Sequence, residues 1–207
     1  LWFIAALVLL IGCASGLFTV SQQAASLNRG WEIATNPDSQ LPFATPHAGI
    51  NVDLLQYDPD GQLQDELAAI ASLGFRWVRQ PFNWAEIEQN PGAYDWAAWD
   101  AIIDAVEAIP ELELVAVLQT TPTWARPTDA AAVDTAPPSQ LEIFGEFSGA
   151  FEARYGDSID YYQIWDEPNI TSHWGNLDPR PAHYAAMLRE AYTAIHDADP
   201  ASSVIMA

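Results

Sequence analysis

From residue 48 onward, short apolar runs alternate with stretches in which apolar residues recur at helical spacing. The runs are typical of buried strands and cover residues 48–54, 75–79, 112–118 and 159–165, and Ser203 begins a fifth. The helical stretches between them cover residues 63–73, 96–106, 141–155 and 182–199. Gly74 is placed to end the first helix, Ser139 and Glu142 predict a capping box for the third, and Pro181 suits the first turn of the fourth. The pattern predicts four βα units and the start of a fifth.

Strands that alternate with helices pair in parallel through right-handed crossovers, which leaves an open doubly wound sheet or a (β/α)8 barrel. No glycine-rich phosphate loop follows the first strand, which disfavours the doubly wound nucleotide-binding sheet. The loops after strands two, three and four hold most of the Trp, Pro and Asn residues, and a barrel gathers such loops on its catalytic face. We therefore predict an α/β fold, a TIM barrel truncated after about four βα units plus the start of strand five. Because the sequence begins with Leu1 and ends in an incipient strand, we expect a fragment.

The N-terminal segment has a different character. Residues 1–20 carry no charge and are almost wholly apolar, and a helix of that length rises about 30 Å, the thickness of a bilayer core. They predict a transmembrane anchor or a signal segment. A lipoprotein signal is the competing interpretation, with Cys13 as the lipidated residue after Leu10-Ile11-Gly12. Residues 21–46 are polar and predict a linker, and residues 47–207 form the predicted barrel domain, held outside the cytoplasm by the anchor or secreted.

Charge and composition narrow the range of ligands. The chain has 28 Asp and Glu against 7 Arg and no Lys, for a formal net charge of -21, which disfavours nucleic acid as a partner. Nine Trp and seven Tyr offer flat amphipathic surface to neutral ligands. A single Cys excludes an internal disulfide and paired-thiolate metal sites. No metal or cofactor is indicated, and the sequence identifies no protein partner.

Two adjacent carboxylates end the fourth predicted strand. Asp166 and Glu167 follow an apolar run and precede Pro168, which stops the strand. A carboxyl group at the lip of a barrel, partly desolvated and beside a second negative charge, is suited to hold the proton that a general acid delivers. The same residues could instead form a turn that caps the next segment.

The segment Trp165-Asp166-Glu167-Pro168-Asn169 resembles the W-N-E-P-N signature at the end of strand four in clan A retaining glycoside hydrolases. These (β/α)8 enzymes include family 5 cellulase-type and family 39 xylosidase-type members. Two further segments are similar to features of these families: Trp77-Val78-Arg79 ends strand two, and Thr121-Pro122-Thr123-Trp124-Ala125 follows strand three.

The resemblance implies cleavage of O-glycosidic bonds in a β-linked poly- or oligosaccharide with retention of configuration. Glu167 would be the general acid/base, and the nucleophile would be a Glu on strand seven, beyond residue 207. The fragment alone would then be inactive.

The sequence departs from the signature at Asp166, where the pattern has Asn. The amide of that Asn donates to the sugar 2-hydroxyl, whereas an ionised Asp only accepts hydrogen bonds. The charge of Asp166 would also help to keep Glu167 protonated. This departure supports an alternative, a non-catalytic carbohydrate-binding or pseudo-enzyme barrel tethered to the membrane. A Ser-His-Asp hydrolase is disfavoured because no G-x-S-x-G motif follows a strand.

The remaining candidates are substrate-binding residues in the loops of the expected catalytic face. Trp124 and Trp174 are candidate platforms for pyranose rings, with loop packing as the alternative. Arg79 is expected to orient the carboxylates or to pair structurally within the barrel. Asn169 is the last residue of the motif, and His173 follows the motif closely enough to reach a substrate.

Overall fold

The computed structural model describes residues 48–59, 61–130 and 132–207. The predicted membrane segment, its Cys13 and the polar linker lie outside the described residues. In the described ranges, no helix is both long and apolar enough to span a bilayer.

The centre of the fold is a sheet of five parallel strands. They are β1 (Ala48–Asn51), β2 (Phe75–Asn83), β3 (Glu113–Gln119), β4 (Tyr161–Ile164) and β5 (Ser203–Met206). Their order in the sheet is β1-β2-β3-β4-β5, so each strand lies beside its neighbour in sequence. A doubly wound sheet reverses its strand order at a switch point, and this sheet does not. The fold is α/β and consistent with part of a TIM barrel.

Helices connect successive strands. They are α1 (Gln62–Ser72), α2 (Trp84–Ile87), α3 (Ala97–Glu107), α4 (Leu141–Tyr155) and α5 (Pro181–Ala198). The four predicted helices are confirmed to within a few residues, and Pro181 occupies the first turn of α5 as expected. Gly74 has a φ of 86°, the left-handed conformation that favours glycine after a helix. The four-residue helix α2 was not predicted, because its length is too short to show a period.

Two local predictions were wrong. β2 continues past Arg79 and through Pro81 to Asn83. Proline has no N–H to donate, but β1 ends opposite Arg79, so no strand lies beside Pro81 on that side to need the missing hydrogen bond. The predicted capping box does not form. Gln140 caps α4 without a side-chain hydrogen bond, and the Ser139 hydroxyl donates instead to the carbonyl of Ala125 at 3.0 Å. A tertiary contact has taken the place of the local one.

An aromatic core joins the helices to one face of the sheet. The rings of Phe144, Phe147 and Phe151 recur along one side of α4 and are fully buried. Trp84 stacks on Phe147 with ring centroids 5.4 Å apart, and Phe82 of β2 lies 4.9 Å from Phe151. Full burial of one such side chain contributes about 1.5–3 kcal/mol. This packing fixes the carboxyl ends of β2, β3 and β4 relative to one another.

Candidate active site

Arg79, in the middle of β2, reaches across the open face of the sheet to the end of β4. Arg79 of β2 aligns with Val115 of β3, which in turn aligns with Tyr161 of β4. The guanidinium crosses β3 and donates from Nε to Gln163 Oε1 at 2.9 Å and from Nη2 to Asp166 Oδ1 at 2.6 Å. The structure therefore brings the predicted residues Arg79 and Asp166 into one ion pair.

Gln163 is a member of this network that the sequence motifs did not identify. Its side-chain oxygen accepts from Arg79, and its Nε2 donates to the backbone carbonyl of Trp165 at 2.8 Å. Both ends of the amide are thus engaged, which fixes its orientation. The signal available in the sequence was a polar residue in an otherwise apolar strand.

The chain turns sharply after β4. Trp165 and Glu167 have φ values of 67° and 47°, the left-handed region that costs a non-glycine residue about 1–3 kcal/mol. The Trp165 N–H still donates to the Leu118 carbonyl of β3 at 2.9 Å, so the turn begins only after strand pairing is complete. Two strained residues therefore flank Asp166.

Core packing holds this turn in place. The Trp165 ring is buried, with Phe144 and Trp174 each 5.8 Å away between centroids. Its indole N–H donates to the carbonyl of His173 at 2.9 Å. Because Trp165 is anchored on the helix side, the two carboxylates that follow it remain at the exposed edge of the sheet.

Glu167 is half exposed, and its carboxylate lies near His173. Its Oε2 lies 3.4 Å from Nε2 of His173, and the two side chains are 51% and 42% exposed. His173 belongs to a short 3₁₀ turn, Thr171–Trp174, which the hydrogen bond from Trp165 ties to the end of β4. The predicted residues Glu167 and His173 are therefore brought together.

Asp166 has its charge compensated by Arg79. The guanidinium nitrogen is 2.6 Å from Oδ1, and the Asp166 side chain is 36% exposed. The expectation that this negative charge helps to keep Glu167 protonated stays a prediction. Asp166 Oδ2 accepts no hydrogen bond from the part of the chain that the structure describes.

The two candidate tryptophan platforms differ in exposure to solvent. Trp174 is only 1% exposed and packs against Trp165 and Tyr184, so the prediction that its ring is presented to a sugar was wrong. Trp124 is 37% exposed, and its indole N–H donates to the Glu88 carbonyl at 2.9 Å. Trp124 remains a candidate platform. Asn169 is exposed in the loop after β4.

Within residues 48–59, 61–130 and 132–207, no three His, Cys, Asp or Glu side chains lie close enough together to hold a metal ion. Burial lowers the pKa of His183, with Arg180 adding to the effect, and the imidazole lies edge-on to Trp174 at 5.7 Å. His183 is thus part of the packing around the β4 turn.

Several solved structures with similar folds are glycoside hydrolases. A GH39 β-xylosidase from Caulobacter crescentus matches 75% of this chain at 23% identity and a TM-score of 0.58. An exo-β-1,4-mannosidase from Opitutaceae bacterium strain TAV5 matches 76% at 20% identity and a TM-score of 0.58. The endoglucanase Cel5A of Pseudomonas stutzeri matches 75% at 12% identity and a TM-score of 0.53. The described domain shares its fold with these glycoside hydrolases.

The match is partial in length. The chain spans 38% of the xylosidase, 31% of the mannosidase and 49% of the endoglucanase. No protein-family model and no curated protein sequence matches it. The likeness to glycoside hydrolases is therefore a likeness of fold, found by comparing structures. It does not by itself identify an activity.

Proposed function

We propose that the protein is a retaining glycoside hydrolase that cleaves O-glycosidic bonds in a β-linked poly- or oligosaccharide, with Glu167 as its general acid/base. One observation carries this proposal. Glu167 stands exposed at the carboxyl end of β4, beside the Arg79–Asp166 pair, in a clan A glycoside hydrolase fold. Catalytic groups of barrel enzymes occupy this end of the strands.

The chemistry requires two carboxyl groups in two steps. In the first, Glu167 gives its proton to the glycosidic oxygen while a second carboxylate attacks the anomeric carbon and the carbon–oxygen bond breaks. In the second, Glu167 takes a proton from a water molecule as that water displaces the carboxylate. The second carboxylate is proposed to be a Glu on strand seven, beyond residue 207. Residues 1–207 alone are then expected to be inactive.

Neighbouring side chains would bind and orient the sugar. Trp124 offers the exposed part of its ring to a pyranose face. His173, 3.4 Å from Glu167, would orient the carboxyl group toward the glycosidic oxygen. Arg79 holds Asp166 in position, and Asn169 is exposed at the end of the motif.

The decisive test is Glu167→Gln in the full-length protein, assayed on β-linked aryl glycosides and oligosaccharides. We expect turnover to fall by roughly three orders of magnitude or more, because the amide cannot deliver a proton. Glu111→Gln is the matched control, since Glu111 is exposed before β3 at the opposite edge of the sheet. It should retain wild-type activity.

A second variant separates the retaining mechanism from the alternatives. With Glu167→Ala and an aryl glycoside whose leaving group needs no proton, added azide should restore turnover and yield a β-glycosyl azide. An α-product would contradict retention. Oligosaccharide binding by the wild-type protein without any turnover would overturn the proposal and leave the non-catalytic carbohydrate-binding barrel.

Residues 1–20 are proposed to tether this domain to the membrane, as an anchor or through lipidated Cys13, with the domain outside the cytoplasm. The support is their uncharged, apolar sequence. Deletion of residues 1–46 is expected to move the protein from the membrane fraction to the soluble fraction. Identical fractionation of both forms would contradict the tether.

A further inference from the structure

Glu88 is a buried carboxylate that the proposed reaction does not use. It follows the short helix α2 directly and is only 4% exposed. Burial of a charged group is unfavourable unless its oxygens receive hydrogen bonds. The hydrogen bonds of Glu88 therefore show which groups the carboxylate holds in place.

The carboxylate binds two N–H groups from different parts of the chain. Oε2 accepts from the indole nitrogen of Trp84 at 2.6 Å, and Oε1 accepts from the backbone N–H of Gly92 at 2.7 Å. Trp84 is fully buried, whereas Gly92 lies in the exposed turn between α2 and α3 and has a φ of 73°. Because both oxygens are engaged, Glu88 is fixed between a core side chain and a surface turn.

The backbone of Glu88 holds a third group, the half-exposed Trp124. The carbonyl oxygen of Glu88 accepts from the Trp124 indole N–H at 2.9 Å. The Trp124 ring also lies edge-on to Trp84, with centroids 5.7 Å apart and an interplanar angle of 86°. Trp124 is thus held by Glu88 directly and, through Trp84, by the Glu88 carboxylate.

Trp124 and Glu167 belong to the same end of the sheet. Trp124 follows the carboxyl end of β3, and Glu167 follows that of β4. A series of ring contacts joins their supports, since Trp84 lies 5.7 Å from Phe144, which lies 5.8 Å from Trp165. Trp165 begins the turn that carries Glu167. The exposed ring and the proposed general acid are therefore positioned by one aromatic core.

We propose that Glu88 is a positioning residue for glycan binding, whose carboxylate and carbonyl hold the Trp124 ring at the angle at which it receives a pyranose face. This inference rests on the proposed function and deepens it. Glu88 acts through Trp124 rather than on the reacting atoms. Its loss therefore weakens the binding of an oligosaccharide and leaves the chemical step unchanged.

Glu88→Gln tests the carboxylate with the smallest change in shape. The amide keeps one acceptor oxygen, but its NH₂ group then faces an N–H donor, that of Trp84 or of Gly92. One of the two contacts must open, and the Glu88 carbonyl moves with it. We expect the dissociation constant of an oligosaccharide to rise by roughly 3- to 10-fold, the effect of one weakened hydrogen bond.

Binding is measured by titration calorimetry in the Glu167→Gln form of the full-length protein, with cellohexaose, xylohexaose and mannohexaose as probes. Steady-state kinetics on the same sugars, with Glu167 present, should show a raised KM and an unchanged kcat. Glu107→Gln is the matched control, since it removes the same charge from the exposed end of α3. It should leave binding and kinetics unchanged.

A double-mutant cycle with Trp124→Ala separates positioning from a purely structural role. If Glu88 acts through Trp124, Trp124→Ala weakens binding and the addition of Glu88→Gln weakens it no further. Equal effects of Glu88→Gln with and without the Trp124 ring would overturn the inference and leave the hydrolase proposal intact. An unchanged dissociation constant despite lower stability would do the same.

Trp124→Phe decides the matter if Glu88→Gln does not fold. It removes the indole N–H and keeps an aromatic face at a position that is 37% exposed. Binding should weaken by a similar factor, and unchanged affinity would overturn the inference.

The Trp124 indole N–H also gives a readout that needs no sugar. Its NMR resonance, assigned by its absence in Trp124→Phe, should move upfield and exchange faster with solvent in Glu88→Gln as the hydrogen bond to the Glu88 carbonyl weakens. An unchanged resonance would overturn the inference. Failure of all three sugars to bind would count against the proposed function, and the resonance would then decide whether Glu88 positions Trp124.

Discussion

Two Arg–Asp pairs in this fold have the same shortest distance and different surroundings. Arg79 approaches Asp166 at 2.6 Å on the open face of the sheet, and Arg154 approaches Asp100 at 2.6 Å between α4 and α3. In the Arg154–Asp100 pair, both carboxylate oxygens accept hydrogen bonds, and we call it the closed pair. Arg154 donates to both oxygens of Asp100, and the Tyr155 hydroxyl donates to Oδ1 at 2.7 Å.

In the Arg79–Asp166 pair, the described residues engage only one carboxylate oxygen, and we call it the open pair. The reason is that Arg79 divides its donors between Gln163 and Asp166. Nε is spent on Gln163, so Asp166 receives a single hydrogen bond where Asp100 receives three. A carboxylate whose two oxygens both accept hydrogen bonds has few lone pairs left for a ligand. An acceptor held by one partner keeps lone pairs for a ligand. The distance of an ion pair therefore says less about its role than the number of oxygen lone pairs that it leaves unused.

The two arginines also differ in what surrounds them. The Arg154 guanidinium lies 5.5 Å from the ring centroids of Trp96 and Tyr155, which adds cation–π contacts to the closed pair. Arg79 instead depends on Gln163 to keep its direction. Gln163 is thus the residue whose loss should damage the open pair most.

Among the variants that test the difference between the two pairs, Gln163→Leu should change activity and stability most. It removes the acceptor for Arg79 Nε and leaves the carbonyl of Trp165 without its donor. We expect kcat to fall by roughly 10- to 100-fold with a smaller change in KM, and the free energy of unfolding to drop by about 1–2 kcal/mol. Steady-state kinetics and urea unfolding measure the two effects.

Gln163→Glu separates the two hydrogen bonds. The carboxylate still accepts from Arg79 but cannot donate to the Trp165 carbonyl. A positioning role predicts activity between that of the wild type and Gln163→Leu. If both variants lose stability while kcat is unchanged, Gln163 serves the fold alone and the open pair does not need it.

The sequence predicted the architecture because the strands are short apolar runs and the longer helices carry a helical period. It missed what depends on a neighbour in space. β2 continues through Pro81 only because β1 has ended opposite Arg79, and Ser139 turns to the Ala125 carbonyl rather than to its own helix. Neither partner is adjacent in sequence, so no local pattern could report them.

The candidate site shows the same division. Arg79 and Glu167 could be proposed from motifs at the ends of the predicted strands. The role of Gln163 and the burial of Trp174 could not, because both depend on the left-handed turn at Trp165. That conformation is unusual for tryptophan and is imposed by the packing of its ring between Phe144 and Trp174. Only the folded chain shows which aromatic residues the turn withdraws from solvent.

The closed pair should give the smallest effect, and one confined to stability. Asp100→Asn removes the charge that Arg154 binds, and because the carboxylate is partly exposed we expect a loss of less than about 1 kcal/mol in the free energy of unfolding. Enzyme activity should not change, since Asp100 lies on the helix layer outside the sheet. A loss of activity equal to that of Gln163→Leu would remove the distinction between the two pairs.

The stability that Asp100 contributes should decrease at low pH. The hydrogen bond from Arg154 lowers the pKa of Asp100, the Tyr155 hydroxyl helps, and partial burial opposes both. As the pH falls, the unfolded chain therefore binds this proton before the folded chain does, so the stabilisation is present above the ordinary Asp pKa of about 3.9 and is lost as the pH falls through the lower folded value. Urea unfolding of the wild type and Asp100→Asn should show a difference at neutral pH that shrinks toward zero in acid. A difference that stays constant with pH would mean that the carboxylate charge contributes nothing and that the substituted amide costs stability through its shape alone.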